Sequence, residues 1–141
     1  MFEPTDASPH EALVVDDDDD VRAVSVRMLE HIGIEATAVA SGEQAVSLLR
    51  ASPAAFSLVM LDLNLSSLSG ESTFEQLREA RADIPVLFVS GDRPRETPAP
   101  PHSRFLEKPF SIADLRRRLG ELLADPGEQP PSRARIDTAA P

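Results

Sequence analysis

The chain has 141 residues, a length that suits one domain with a single hydrophobic core better than two domains. Its net charge of −10 argues against direct binding to nucleic acid, because that binding depends on lysine and arginine side chains that neutralise phosphates. The absence of cysteine excludes disulfides and thiolate metal sites, and no apolar run approaches the roughly 18 residues of a membrane span. The first residues lack the apolar segment of a secretory signal, so we expect a cytoplasmic protein.

In the first half of the chain, short apolar runs alternate with helical patterns. Residues 1–10 contain prolines and mixed polar residues, and we interpret them as a flexible arm. Residues 12–15 form the first predicted strand, which runs into consecutive aspartates at 16–20. A helix is predicted from Val21 to its stop at Gly33. The predicted apolar stripe of this helix consists of Val21, Val24, Met28 and Ile32.

The next elements continue the alternation. A second strand is predicted at residues 35–39, and Ser41 with Gln44 then forms a capping box that starts a second helix. This helix is predicted to end near residue 51, and its buried side draws on Ala45, Val46, Leu48 and Leu49. The central strand, residues 58–62, is apolar up to its final carboxylate, which is typical of a strand buried on both faces.

The second half begins with a loop at 64–70 and a third helix that carries Phe74 and Leu77. The fourth strand is predicted at residues 86–89. Residues 92–104 then hold four prolines and almost no apolar side chain, so we expect no regular helix there. Residues 105–106 are a short fifth strand. The last helix follows Ser111 and presents Ile112, Leu115, Leu119 and Leu122 on one stripe.

This alternation of strands and helices predicts an α/β domain with a doubly wound parallel sheet that is covered on both faces. The domain is expected to occupy residues 11–124. Residues 125–141 are rich in proline, glycine and polar residues, and we expect this tail to be disordered.

Polar side chains follow four of the predicted strands. They are Asp16 and Asp17, Asp62, Ser90, and Lys108. In open α/β sheets, ligands bind outside the carboxyl ends of the strands, so these groups should gather at one edge. Clustered carboxylates repel each other, and the repulsion is relieved by a cation. Lys108 supplies one positive charge, and a hard divalent cation such as Mg²⁺ would supply two.

Taken singly, each of these residues has a simpler explanation. Asp62 could merely open a turn, the acidic run could be a solvated loop, and Lys108 could be an exposed surface charge. The run is not an EF-hand, because ligands at Asp16, Asp18 and Asp20 would require glycine and glutamate where Val21 and Arg27 stand. Only the joint placement of the polar groups at four strand ends favours a functional site.

These residues resemble the receiver domain of two-component response regulators. The matching segments are Leu13-Val14-Val15-Asp16-Asp17, Leu61-Asp62, Gly70, Val89-Ser90-Gly91 and Phe105-Leu106-Glu107-Lys108-Pro109-Phe110. The resemblance extends from about Ala12 to Leu123. It implies a CheY-like, five-stranded sheet of order 2-1-3-4-5.

The resemblance also implies a chemistry. Asp62 would accept a phosphoryl group from a sensor histidine kinase, a histidine phosphotransfer protein or a small phosphodonor. The Mg²⁺ ion would be held by Asp17, Asp62 and the backbone carbonyl of Asn64, with Asp16 acting partly through water. The metal and Lys108 would neutralise charge on the transferring phosphoryl group, which is most of what this reaction requires.

Two further residues have expected roles, and two segments depart from the family pattern. Ser90 would donate a hydrogen bond to the phosphoryl group, and Phe105 would be the aromatic switch that follows Ser90. The Met-Pro pair that usually follows the acceptor strand is replaced by Leu65-Ser66. The proline-rich segment is short where the family has its fourth helix, which is closer to receivers attached to hybrid histidine kinases than to those of transcription factors.

Two other functions fit the same inventory of residues. A phosphohydrolase of the haloacid dehalogenase type also uses a nucleophilic aspartate, a lysine and an acidic pair, but in the reverse chain order and with a second aspartate where Asn64 stands. A degenerate receiver that acts only as an interaction module is disfavoured by the intact set of polar residues. Because no DNA-binding or catalytic output domain follows Leu123, we expect a stand-alone receiver that signals through a protein partner or serves as a phosphate relay or sink.

Overall fold

The structure, a computed structural model, describes residues 11–66, 68–91 and 99–124. The predicted N-terminal arm at 1–10 and the predicted tail at 125–141 lie outside these residues. Within the described part of the chain, no helix is both long enough and apolar enough to cross a bilayer.

The domain is built on one parallel sheet of five strands in the order β2-β1-β3-β4-β5. The strands are β1 (Glu11–Val15), β2 (Glu35–Val39), β3 (Leu58–Asp62), β4 (Val86–Ser90) and β5 (Ser103–Glu107). The central strand β3 is buried along its whole length, as its continuous apolar sequence predicted. The observed order confirms the expectation of a doubly wound, CheY-like sheet.

Four helices pack on the sheet within the described residues. They are α1 (Asp19–Ile32), α2 (Gly42–Ala51), α3 (Gly70–Ala80) and α4 (Ile112–Ala124). Side chains cap their first turns: Ser41 accepts from the Gln44 amide in α2, and Ser111 and Asp114 exchange reciprocal bonds in α4. The α1 helix ends at Gly33, whose positive φ of 104° is a conformation that glycine adopts without strain.

The hydrophobic core has two layers, one on each face of the sheet. One layer packs α1 and α4 against side chains such as Val14, Met60 and Leu87. The other packs α2 and α3 against side chains of the opposite face, including Leu61 and Phe88. Neighbouring residues of one strand therefore belong to different layers, which explains why each strand is apolar throughout.

The predicted buried faces of two helices are partly wrong. Val24 is 47% exposed, whereas Ser25 and Leu29 are the buried residues of α1. Leu48 of α2 is 37% exposed and does not join the core with its neighbour Leu49. A helix in contact with a sheet buries one narrow stripe, and apolar residues one position away from that stripe face solvent.

The connection between β4 and β5 agrees with the sequence as far as it is described. Residues 99–102 form no helix, and the Ser103 hydroxyl donates to the Pro100 carbonyl as β5 begins. Residues 92–98 lie outside the described part of the chain, so the missing fourth helix stays a prediction there. Strand β5 extends beyond the predicted residues 105–106 to Ser103–Glu107.

Candidate functional site

Three strand ends carry the carboxylates and the lysine to one edge of the sheet. Asp16 directly follows β1, Asp62 is the last residue of β3, and Lys108 directly follows β5. Backbone hydrogen bonds continue past the strands here, because the Asp16 amide donates to Val39 and the Lys108 amide donates to Ser90. The side chains are therefore attached to a rigid part of the backbone, which favours a site of fixed geometry.

Asp16, Asp17 and Asp62 each direct a carboxylate oxygen to one place. These oxygens all lie within 4.8 Å of one another. Asp16 and Asp62 are only 4% and 5% exposed, whereas Asp17 is exposed to solvent. The sequence prediction that these carboxylates meet is thus confirmed by their positions.

Lys108 is the cation that faces the two buried carboxylates. Its Nζ lies 3.5 Å from Asp62 Oδ2 and 3.7 Å from Asp16 Oδ2. Burial raises the pKa of the Asp16 carboxyl above its ordinary value, and the charge of Asp62 raises it further. The Asp18 amide and the Lys108 ammonium act in the opposite direction. The cluster thus contains one ammonium group and three carboxylates, so the ammonium group does not balance the negative charge.

Backbone amides fix the orientation of each carboxylate. The Asp18 amide donates to Asp16 Oδ1 and the Asn64 amide donates to Asp62 Oδ1, both at 2.9 Å. Asp17 is held differently: its Oδ2 accepts from the amide of Ser66, in the loop after β3, at 3.0 Å. These contacts hold the negative groups together without neutralising them.

Ser90 and Phe105 lie on the neighbouring strands β4 and β5. Ser90 is the last residue of β4 and is paired in register with Glu107 of β5. Phe105 is half-buried, pairs in register with Phe88, and stacks on its ring with 5.2 Å between centroids. Ser90 is therefore on the strand next to β3, and Phe105 is one strand further from Asp62.

Two contacts at the site had no counterpart in the sequence prediction. One is the Ser66 amide bond to Asp17. The other is Arg22, which donates from Nη1 to the Asp16 carbonyl at 2.8 Å and from Nη2 to Asp19 Oδ1. The spacing of Asp19 and Arg22 signals their ion pair on one helix turn, but nothing in the sequence signals the bond of Ser66 to a residue 49 positions away.

The donor set suits a hard divalent cation. The converging atoms are carboxylate oxygens, which are the ligands that Mg²⁺ prefers. A dication would compensate the charge that Lys108 leaves uncompensated. One exposed member, Asp17, leaves a path for the ion and its water ligands.

Comparison with known families identifies the domain. A family model described as the response regulator receiver domain matches residues 12–120. The chain belongs to this family. Receiver domains are phosphoacceptor domains that receive the phosphoryl group from histidine kinases, and the match gives the phosphohydrolase alternative no support.

The relatives of this chain differ in length, and they include a long sensor kinase and a short receiver protein. Sensor kinase CckA of Brucella abortus (strain 2308) is 32% identical over 79% of this chain, which spans only 12% of that kinase. Response regulator receiver protein CpdR of the same strain is 28% identical over 79% of this chain and 94% of its own. The similarity to the kinase is therefore confined to a small part of it.

A solved receiver structure shows the same fold with a metal. It is the receiver domain of sensor histidine kinase PA1611 from Pseudomonas aeruginosa PAO1, which has a magnesium ion coordinated in its active-site cleft. It matches this receiver with a TM-score of 0.71 at 23% identity, covering 84% of this chain and 100% of that one.

Proposed function

We propose that Asp62 accepts a phosphoryl group from a phosphohistidine, on a sensor histidine kinase or a histidine phosphotransfer protein, in a Mg²⁺-dependent reaction. The observation that carries this proposal is the position of Lys108, 3.5 Å from the Asp62 carboxylate, beside two further carboxylates at the same edge. A nucleophile, a fixed cation and an acidic ligand set are the parts that phosphoryl transfer requires.

In this reaction an oxygen of Asp62 forms a bond to phosphorus as the bond from phosphorus to the histidine nitrogen breaks. The nitrogen retains the electron pair and takes a proton. Lys108 faces Oδ2 of Asp62, where it stabilises negative charge on the phosphoryl oxygens, while the Asn64 amide holds Oδ1 and fixes the orientation of the nucleophile.

The residues that would hold Mg²⁺ are Asp16, Asp17, Asp62 and the backbone carbonyl of Asn64. When bound, the ion supplies electrostatic stabilisation of the phosphoryl oxygens. Asp16 is buried, accepts from the Asp18 amide and faces Lys108, and burial raises the pKa of its carboxyl. We propose that it acts partly through water, as the family resemblance implies, whereas the exposed Asp17 is open to direct coordination.

Ser90 and Phe105 form the proposed switch. The Ser90 hydroxyl would donate to a phosphoryl oxygen on Asp62, and the resulting shift of the end of β4 would reach Phe105 of β5. Support comes from the paired backbones of the two strands and from the stacked rings of Phe88 and Phe105. A chain of packed residues with two arrangements can transmit such a change.

The biological role follows from this chemistry. The protein would signal through contact with another protein or serve as a phosphate relay or sink, in the cytoplasm, without binding DNA or a membrane. It would catalyse only its own phosphorylation and dephosphorylation. Its similarity to part of a sensor kinase supports a kinase as phosphodonor, and the downstream partner would be set by surfaces outside the site.

The decisive experiment is phosphorylation by a small acyl phosphate, followed by mass spectrometry of the intact protein. The wild-type protein should gain one phosphoryl group with Mg²⁺ and none in EDTA. Asp62→Ala should gain none, whereas Asp83→Ala, which removes an exposed carboxylate elsewhere, should behave as wild type. A phosphoryl group on Asp62→Ala, or steady turnover of a phosphate monoester, would overturn the proposal.

The switch can be followed with one reporter. The chain has no tryptophan or tyrosine, so Phe105→Trp introduces a single indole at the switch position. Its emission should change when Mg²⁺ and the acyl phosphate are both added. The same variant combined with Asp62→Ala should show no such change, and an equal change in both proteins would remove Phe105 from the switch.

A further inference from the structure

One carboxylate of the acidic cluster is held by a distant part of the chain. Asp17 Oδ2 accepts a hydrogen bond from the Ser66 backbone amide, with 3.0 Å between the atoms. The bond joins the loop after β1 to the loop after β3. Among the residues that the structure describes, no other group donates to the Asp17 carboxylate.

The other two carboxylates have local and redundant supports. Asp16 and Asp62 are each held by the amide two residues further along, are buried, and face Lys108. Their positions follow from the strand ends themselves. Asp17 is exposed, and an exposed side chain keeps rotamer freedom unless a contact removes it. The Ser66 amide is that contact.

We propose that the Ser66 backbone amide is the positioning group that presents Asp17 to the divalent cation. The inference rests on the proposed function, because it assumes a cation at this cluster. An amide bonded to one carboxylate oxygen leaves the other oxygen available and already oriented, so cation binding loses less side-chain entropy. By linkage, the bound cation strengthens the contact and draws the loop after β3 to the site.

The donor is the backbone amide, so the side chain at position 66 is irrelevant to the contact. Alanine keeps the donor and removes the hydroxyl. Proline removes the donor. The pair Ser66→Ala and Ser66→Pro therefore separates the amide from everything else about this residue.

The test is a Mg²⁺ titration of three proteins, followed by the amide NMR shifts of residues around the cluster. Wild type and Ser66→Ala should bind Mg²⁺ with the same affinity, within about twofold. Ser66→Pro should bind roughly tenfold more weakly, at the lower end of the loss expected for removing a group that supports a metal ligand. Equal or tighter binding by Ser66→Pro than by Ser66→Ala would overturn the inference.

A second measurement does not depend on the proline variant. In EDTA, exchange of the residue 66 amide proton should be slowed in the wild type, and Asp17→Ala should remove this protection. Addition of Mg²⁺ to the wild type should increase it. An amide that exchanges equally fast in wild type and Asp17→Ala overturns the inference while phosphorylation of Asp62 stands. A wild-type protein that binds no Mg²⁺ instead overturns the proposed function.

Discussion

Charged side chains are arranged differently at the two edges of the sheet, the edge where the strands begin and the edge where they end. At the edge where the strands begin, the Arg78 guanidinium of α3 bonds the carbonyls of Ile84, Pro101 and His102. Arg81, at the end of the same helix, bonds the carbonyls of Pro53 and Phe56. Each cation thus bonds backbone carbonyls of loops that lead into β3, β4 or β5, and Arg81 also forms an ion pair with Asp83.

The edge where the strands end has the opposite arrangement, an excess of negative charge. Three carboxylates converge there, two of them buried, and Lys108 is the cation beside them. Burial and the charge of Asp62 both raise the pKa of Asp16, which is the signature of a carboxylate whose ionised form is disfavoured in the folded protein.

The difference separates stability from function. At the first edge, Arg78 and Arg81 form their hydrogen bonds within the protein. The second edge holds like charges together and is stabilised when a cation binds, as sites that perform chemistry often are. Substitutions at the two edges should therefore change the unfolding free energy in opposite directions.

The largest effect is expected at the first edge. Arg78→Met removes the guanidinium donors to the three carbonyls, of which that of His102 keeps the Val86 amide, and it retains much of the apolar contact with Phe74, whose ring centroid lies 4.7 Å from the guanidinium carbon. The free energy of unfolding should fall by about 2–3 kcal/mol, because the buried Ile84 carbonyl loses a charged donor. Urea unfolding followed by circular dichroism measures this loss.

Two variants make the Arg78 prediction specific. Arg78→Lys keeps the charge but cannot bond both loops at once, so it should recover only part of the loss. Arg117→Ala removes an arginine whose ion pair with Asp114 is exposed, and it should change stability by less than about 0.5 kcal/mol. Mg²⁺ affinity should be unchanged in all three, and a weaker Mg²⁺ affinity in Arg78→Met would break the separation of the two edges.

The site was largely predictable because it depends on strand ends. Asp16 and Asp62 directly follow short apolar runs and Lys108 lies one residue beyond such a run, and a parallel sheet brings the ends of these runs together. The order of the strands did not follow from periodicity and came only from the family resemblance. The capping residue Ser41 could also be predicted from the sequence, because its partner Gln44 is close in sequence.

What could not be predicted depends on the packing of segments distant in sequence. The Arg78 bonds to Pro101 and His102, like the Ser66 bond to Asp17, join loops that only the fold brings together. The exposure of Val24 has a related cause, since periodicity alone does not show which of two adjacent apolar stripes meets the sheet.

A smaller effect of opposite sign is expected at the second edge. Asp16→Asn keeps an oxygen acceptor for the Asp18 amide but removes one of the two buried negative charges that share Lys108. In EDTA at neutral pH the free energy of unfolding should rise by about 1 kcal/mol. Mg²⁺ should stabilise the wild type and stabilise this variant less, so that the gain shrinks or reverses when the ion is present.

The pH dependence of this gain identifies its cause. Because burial raises the pKa of Asp16 in the folded protein, the folded state binds the proton more tightly than the unfolded chain does, whose pKa stays near 3.8. Above the pKa of the folded state, the ionised Asp16 therefore lowers the unfolding free energy of the wild type, relative to Asp16→Asn, by its full amount. As the pH falls through the folded pKa, the carboxyl takes up its proton and the stability advantage of Asp16→Asn declines, until it disappears below the unfolded pKa.

Urea unfolding of both proteins in EDTA, at intervals from neutral pH down to about pH 4, measures this difference in stability directly. A stability gain that stays constant over the whole range would show that Asp16→Asn acts through packing and that the second edge stores no electrostatic strain at this residue.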